Sequence, residues 1–159
     1  MTVSNVKLQL LSDKPEALDT VADWYYIEWA SLFKTKTLQD VKNDLKSYLN
    51  VDCMPLIVLA LINEKVVGAA QLKYYEMDMY PDYEHWLGGV YVDADYRGDG
   101  IAEKIILRIL EKAREFNVET IYLQTENLTG GLYARMGWES IEQTHSKGSD
   151  VLVMKRHLI

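Results

Sequence analysis

The sequence predicts a mixed α/β fold that contains a right-handed β-α-β unit. Apolar runs of strand character alternate along the chain with segments whose apolar residues recur at helical spacing. The strand-like run Trp86–Val92 leads through two glycines into a long amphipathic stretch and then a short strand at Thr120–Gln124. That order implies parallel pairing across a right-handed crossover. No linker, low-complexity tract or internal repeat divides the 159 residues, so a single domain over 1–159 is expected.

Each element has its own signal. Val6–Leu11 reads as a first strand. Asp13-Lys14-Pro15-Glu16 marks a helix start, with Asp13 as N-cap and Pro15 in the first turn. Leu18, Val21, Ala22, Tyr25, Trp29 and Leu32 then form one apolar stripe. A second helix is expected over Leu38–Leu49, capped by Thr37. Leu56–Leu61 and Val66–Tyr74 flank the turn residues Asn63-Glu64-Lys65 and read as a hairpin. After the Trp86–Val92 strand, Ala102, Ile105, Ile106, Ile109, Leu110, Ala113 and Phe116 give one face of a helix over Gly100–Phe116. A short helix at Leu128–Met136 and a hairpin of Trp138–His145 with Val151–Lys155 close the chain.

Composition removes several classes of function. There are 17 Lys and Arg against 24 Asp and Glu, a net charge of −7. Non-specific nucleic-acid binding needs the opposite balance, because affinity there comes from neutralising phosphates. The lone Cys53 cannot close an internal disulfide, and with three scattered histidines it makes no zinc cluster, so no metal is expected. Beside Met54 and Pro55 it reads as a small hydrophobe leading into a strand. The longest apolar stretch, Leu56–Ile62, is far short of the ~20 residues that cross a bilayer. With no basic and apolar leader at the N-terminus, the expectation is a soluble cytoplasmic protein without membrane contact.

The most informative segment is Val90-Tyr91-Val92-Asp93-Ala94-Asp95-Tyr96-Arg97-Gly98-Asp99-Gly100-Ile101-Ala102. A strand turns through two glycines directly onto a helix. The turn's N–H groups and the helix dipole form an anion site suited to a phosphate. The segment is neither a Walker loop nor a dinucleotide fingerprint, since Glu103 stands at the third glycine position.

Here the chain resembles the GNAT superfamily of acetyl-CoA-dependent N-acetyltransferases. Arg97-Gly98-Asp99-Gly100-Ile101-Ala102 is similar at every defined position to that family's pyrophosphate motif, [Q/R]-x-x-G-x-[G/A]. Leu132-Tyr133-Ala134-Arg135-Met136-Gly137-Trp138 is similar to its L-Y-x-x-x-G-[F/W] segment, where a helix ends on a glycine. The resemblance implies a mostly antiparallel central sheet of six to seven strands, about four flanking helices, and a parallel splay at the central strands. It also implies that an amine attacks the thioester of acetyl-CoA directly, without an acyl-enzyme.

The same resemblance implies site residues. Gly98, Asp99, Gly100, Ile101 and Ala102 would hold the pyrophosphate, with Arg97 adding charge or shaping the turn. Val90, Tyr91 and Val92 would flank the pantetheine arm, and Asn127 would bond it or its neighbouring loop. Tyr133 would serve the leaving sulfur, as a hydrogen-bond donor or a relay for the amine's proton rather than a full acid. A phenol near pKa 10 is a weaker acid than a thiol near 8.5, so full transfer is uphill by ~2 kcal/mol. No base is assigned: the strand holds no carboxylate, and Glu84, His85 and Glu126 are candidates beside a water chain.

The acceptor is expected to be a small cationic amine. The connection from Tyr74 to Trp86 and the early residues Trp24, Tyr25, Tyr26, Glu28 and Trp29 combine carboxylates with aromatic faces, which suits an alkylammonium. A peptide or protein amine is the alternative acceptor, and a non-catalytic acyl-CoA-binding module the alternative function. Members of such a family often dimerise, and the aromatic early helix offers a surface for a homodimer.

Overall fold

The computed structural model describes residues 5–30 and 36–158, so Leu32 lies outside the described residues. The strands are β1 (Lys7–Leu10), β2 (Leu56–Ile62), β3 (Lys65–Tyr74), β4 (His85–Val92), β5 (Thr120–Thr125), β6 (Glu139–Ser146) and β7 (Ser149–His157). Four helices accompany them: α1 (Leu18–Glu28), α2 (Leu38–Leu45), α3 (Ile101–Glu115) and α4 (Gly131–Arg135). The strands form one seven-stranded sheet in the order β1-β2-β3-β4-β5-β7-β6. Every neighbouring pair is antiparallel except β4 and β5. These two share a single register pair, Trp86 with Tyr122, and part beyond it. The expected fold class is the observed one.

Helical periodicity placed α3 correctly: Ile105, Ile106, Ile109, Leu110 and Ala113 are buried against one face of the sheet. They meet Val58, Val67, Ala70, Leu72 and Leu123 there. Thr37 caps α2 through a reciprocal box with Asp40, its Oγ1 accepting from the Asp40 N–H at 3.1 Å. Four expectations shift. Helix α2 ends at Leu45, and a 3₁₀ turn at Lys46–Tyr48 stands where the helix was expected to reach Leu49. Asp13 caps no helix, because 3₁₀ turns at Leu11–Asp13 and Pro15–Ala17 precede α1, which starts at Leu18. The α4 helix starts only at Gly131, since Asn127 and Thr129 spend their polar atoms on a turn that delays it. Cys53 is exposed rather than packed.

The other face of the sheet carries two apolar clusters. Helices α1 and α2 cover β1–β3 with Val21, Ala22, Tyr25, Val41 and Leu45 over Ile57, Leu59 and Ala69. The connection between β3 and β4 covers the second half, burying Met77 and Trp86 against Val151 and Val153. Within it Tyr83 stacks on Tyr122 at 4.1 Å and on Tyr80 at 5.0 Å, so much of this acidic, aromatic segment is a packing element. Covered on both faces, β2 is buried at every position.

Candidate active site

The site is built around an irregularity in β4. Gln71 pairs with Gly88 and Ala69 with Tyr91, which leaves Gly89 and Val90 opposite Ala70 as a bulge. The extra residue turns Gly88 and Gly89 toward the same face of the sheet. A side chain at Gly88 would meet Glu76, Lys73 and Gln71, and one at Gly89 would meet Tyr25 and Gln71. Gly89 adopts φ +55°, and its carbonyl accepts a 2.6 Å hydrogen bond from the Tyr25 hydroxyl. Tyr25 is buried, and burial, with Tyr48 and Glu76 nearby, pushes its phenol far above the ordinary range.

Beyond β4, Asp93 accepts from the Asp95 N–H at 3.0 Å and starts a 3₁₀ turn over Ala94–Tyr96. Gly98 and Gly100 follow in the left-handed region, at φ +91° and +77°. A Cβ at either would meet no atom within 4 Å, so backbone conformation rather than crowding explains both glycines. Arg97 folds back, its Nε donating to the Val92 carbonyl at 2.8 Å and its guanidinium lying 5.2 Å from the Tyr91 ring centre. Gly100 then caps α3 without a side-chain hydrogen bond, and the helix's first N–H groups have no partner within the helix.

A cavity of about 580 Å³ lies against this turn. Arg97, Gly98, Gly100, Ile101 and Ala102 form one end, and Val90, Tyr91 and Val92 the floor. Glu28 and Trp29 from the end of α1 close one side, while Leu132 and Arg135 of α4 close the other. Tyr91 is held between Trp24, stacked at 5.1 Å, and Trp29, edge-on at 6.4 Å. Asp99, Asn127 and Tyr133 are not part of the lining. Tyr133 packs edge-on against Trp138 at 5.9 Å, and its burial pushes the phenol up. Its hydroxyl has no hydrogen-bond partner among the described residues. Asn127 Oδ1 accepts from both the N–H and the hydroxyl of Thr129. Gly137, at φ +95°, ends α4 as its motif requires, with the Trp138 N–H donating to the Tyr133 carbonyl at 3.0 Å.

None of the carboxylate or imidazole candidates lines this cavity. Glu84 bonds Tyr75 at 3.1 Å and lies 3.3 Å from His85, in an outward network, and Glu126 is exposed. Sequence reasoning passed over Glu76. It folds back over Gly88, with the Lys73 ammonium 2.7 Å from Oε2 and the Gln124 amide donating to Oε1 at 3.4 Å. Burial works against the Lys73 charge, but Glu76 and Tyr48 outweigh it and hold the ammonium above the usual lysine range. The one available signal was the Gly88-Gly89 pair inside a strand, which marks a close approach by another group.

A strand that leaves its neighbour, a left-handed glycine turn and the N-terminus of α3 meet at this cavity. The Acetyltransferase (GNAT) family model matches residues 18–138, and the chain belongs to that family. The family's co-substrate is acetyl-CoA, and the uncapped first turn of α3 and the uncrowded glycines before it fit its pyrophosphate. Human N-acetyltransferase 8B is 27% identical over 119 residues, covering 73% of this chain and 52% of that protein. The chain thus spans about half the length of that curated relative.

Solved structures share the fold. The acetyltransferase-like protein yncA of Salmonella typhimurium, solved with its cofactor acetyl-CoA, superposes with a TM-score of 0.74 at 15% identity, over 98% of this chain and 95% of that one. An aminoglycoside 6'-acetyltransferase type Ii gives 0.73 at 15% identity, over 96% and 97%. Among the described residues, no helix is long and apolar enough to cross a membrane, and no three His, Cys, Asp or Glu side chains gather as a metal site.

Proposed function

We propose that the protein is an N-acetyltransferase that moves an acetyl group from acetyl-CoA to the primary amine of a small cationic acceptor. The observation that supports this most is the continuous cavity from the glycine turn, along Val90–Val92, to Glu28 and Trp29. Bound acetyl-CoA supplies an acetyl group activated as a thioester. The chain's own groups hold, orient and manage protons around it.

Backbone N–H groups from Gly98 to Ala102, with the positive end of α3, bind the pyrophosphate, Asp99 contributing its amide. Arg97 braces the turn against Val92 and adds positive charge. Val90, Tyr91 and Val92 flank the pantetheine arm, and Asn127 orders the loop that presents α4. Tyr133 donates its hydroxyl to the departing sulfur. Because burial raises its pKa, it stays protonated and acts as a hydrogen-bond donor, while the amine's own proton neutralises the thiolate. Charge supports this acceptor class: the chain carries −7, and Glu28 and Trp29 both line the cavity. The same architecture serves an aminoglycoside acetyltransferase.

The test is CoA release from acetyl-CoA against spermidine, kanamycin, free lysine, and peptides offering a lysine or an N-terminal amine. Turnover with a small cationic amine is expected. Turnover confined to peptides would move the acceptor to a protein amine. Silence despite measurable acetyl-CoA binding would favour a non-catalytic binding module.

A further inference from the structure

Around the cavity, cationic and anionic side chains are equal in number: Arg97 and Arg135 stand against Glu28 and Glu103. Glu103 lies in the first turn of α3, where it takes up part of the helix's positive end. The two arginines are not equivalent. Arg97 gives its Nε to the Val92 carbonyl at 2.8 Å and lays its guanidinium over the Tyr91 ring, so it is held at the turn. Arg135 is exposed, and its guanidinium makes no hydrogen bond or ion pair among the described residues. It stands three residues after Leu132 on α4, a spacing that puts both on the side lining the cavity. An arginine at a helix C-terminus can complement the helix dipole, but α4 has only five residues and little dipole to complement.

We propose that Arg135 is a phosphate-binding residue, its guanidinium pairing with a phosphate of the bound acyl-CoA from the α4 side of the cavity. The inference rests on the acetyl-transfer reading above. CoA carries a pyrophosphate and a ribose 3′-phosphate, and the chain that must bind these anions has a net charge of −7. The first turn of α3 offers N–H groups and a partial positive charge, whereas Arg135 offers a full one. A guanidinium forks onto two phosphate oxygens at once, and an arginine without other partners keeps all its donors for that purpose. The two walls then hold the same cofactor, with backbone donors from α3 and a cation from α4.

The test is calorimetric titration of wild type and Arg135→Gln with acetyl-CoA and with its 3′-dephospho form. Arg135→Gln should weaken acetyl-CoA binding about five- to tenfold at low salt, and the loss should shrink as salt screens the pair. An equal loss with both donors places the guanidinium on the pyrophosphate, and a loss confined to acetyl-CoA places it on the 3′-phosphate. Arg135→Lys keeps the charge without the fork and should recover part of the affinity. In turnover, Arg135→Gln should raise the KM for acetyl-CoA while kcat holds, because the contact is the same in ground and transition states. The residue is exposed, so both variants should fold, with urea midpoints near that of wild type. Equal affinity of wild type and Arg135→Gln for both donors, or a loss independent of salt, would overturn the assignment. Failure of wild type to bind either donor would overturn the acetyl-transfer reading itself.

Discussion

The Tyr25 hydroxyl donates to the Gly89 carbonyl at 2.6 Å, tying the first helix to the bulge of β4. This contact spans 64 positions in sequence and fixes the strand backbone next to the cavity floor. It makes the aromatic first helix part of the site's framework, beyond its place in the core.

The bulge should be intolerant of change. Gly89→Ala would place a Cβ 2.8–2.9 Å from Tyr25 and Gln71 atoms at φ +55°, and a loss of about 2–4 kcal/mol is expected. Tyr25→Phe leaves the Gly89 carbonyl without its partner and should cost about 1–3 kcal/mol. Urea unfolding of both variants measures this. A near-neutral Gly89→Ala would contradict the described bulge.

Tyr133→Phe should separate packing from chemistry. Its hydroxyl bonds no described residue, so the change should alter stability by under about 1 kcal/mol. Turnover should fall by about 10²-fold or more, with acetyl-CoA affinity retained. A kinetically normal variant would return Tyr133 to a purely structural place against Trp138.

Alkaline pH should destabilise the fold. Tyr25, Tyr48 and Tyr133 all have phenols raised above the ordinary value of 10.0, chiefly by burial. Unfolded tyrosines release their protons near that value while the folded ones keep them, so the unfolded chain binds fewer protons and gains as pH rises. Stability should be full below about pH 10 and fall above it. Urea midpoints at pH 8 to 11 measure the decline, which should be shallower in Tyr25→Phe. A flat profile would mean that these phenols titrate normally.

Local pattern was enough for much of the fold. Strand-like runs, the α3 periodicity and the Thr37 cap depend on neighbours within a few residues, and the Arg97–Ala102 turn carries its conformation in Gly98 and Gly100. Long-range pairing was not readable. The bulge arises from register against β3, and the Tyr25–Gly89 and Glu76–Gln124 contacts join segments distant in sequence. In the Tyr74–Trp86 connection composition suits either a cation or packing, and which residues pack is not readable locally: Tyr80, Tyr83 and Trp86 cover half of the sheet, while Tyr74 and Tyr75 stay exposed. Asn127 likewise matched by position while its carbonyl oxygen is engaged by Thr129.

The central claim, that the turn from Arg97 to Ala102 holds acetyl-CoA, is tested most directly by calorimetric titration of acetyl-CoA into wild type, Gly100→Asp and Gly100→Asn. Both side chains tolerate the left-handed conformation at φ +77° and meet open space there, so both variants should fold. They differ in charge. The account predicts one binding site in wild type, at most modest weakening in the asparagine variant, and loss of about tenfold or more in the aspartate variant, whose carboxylate would face the pyrophosphate. Equal affinity for all three folded proteins would contradict it.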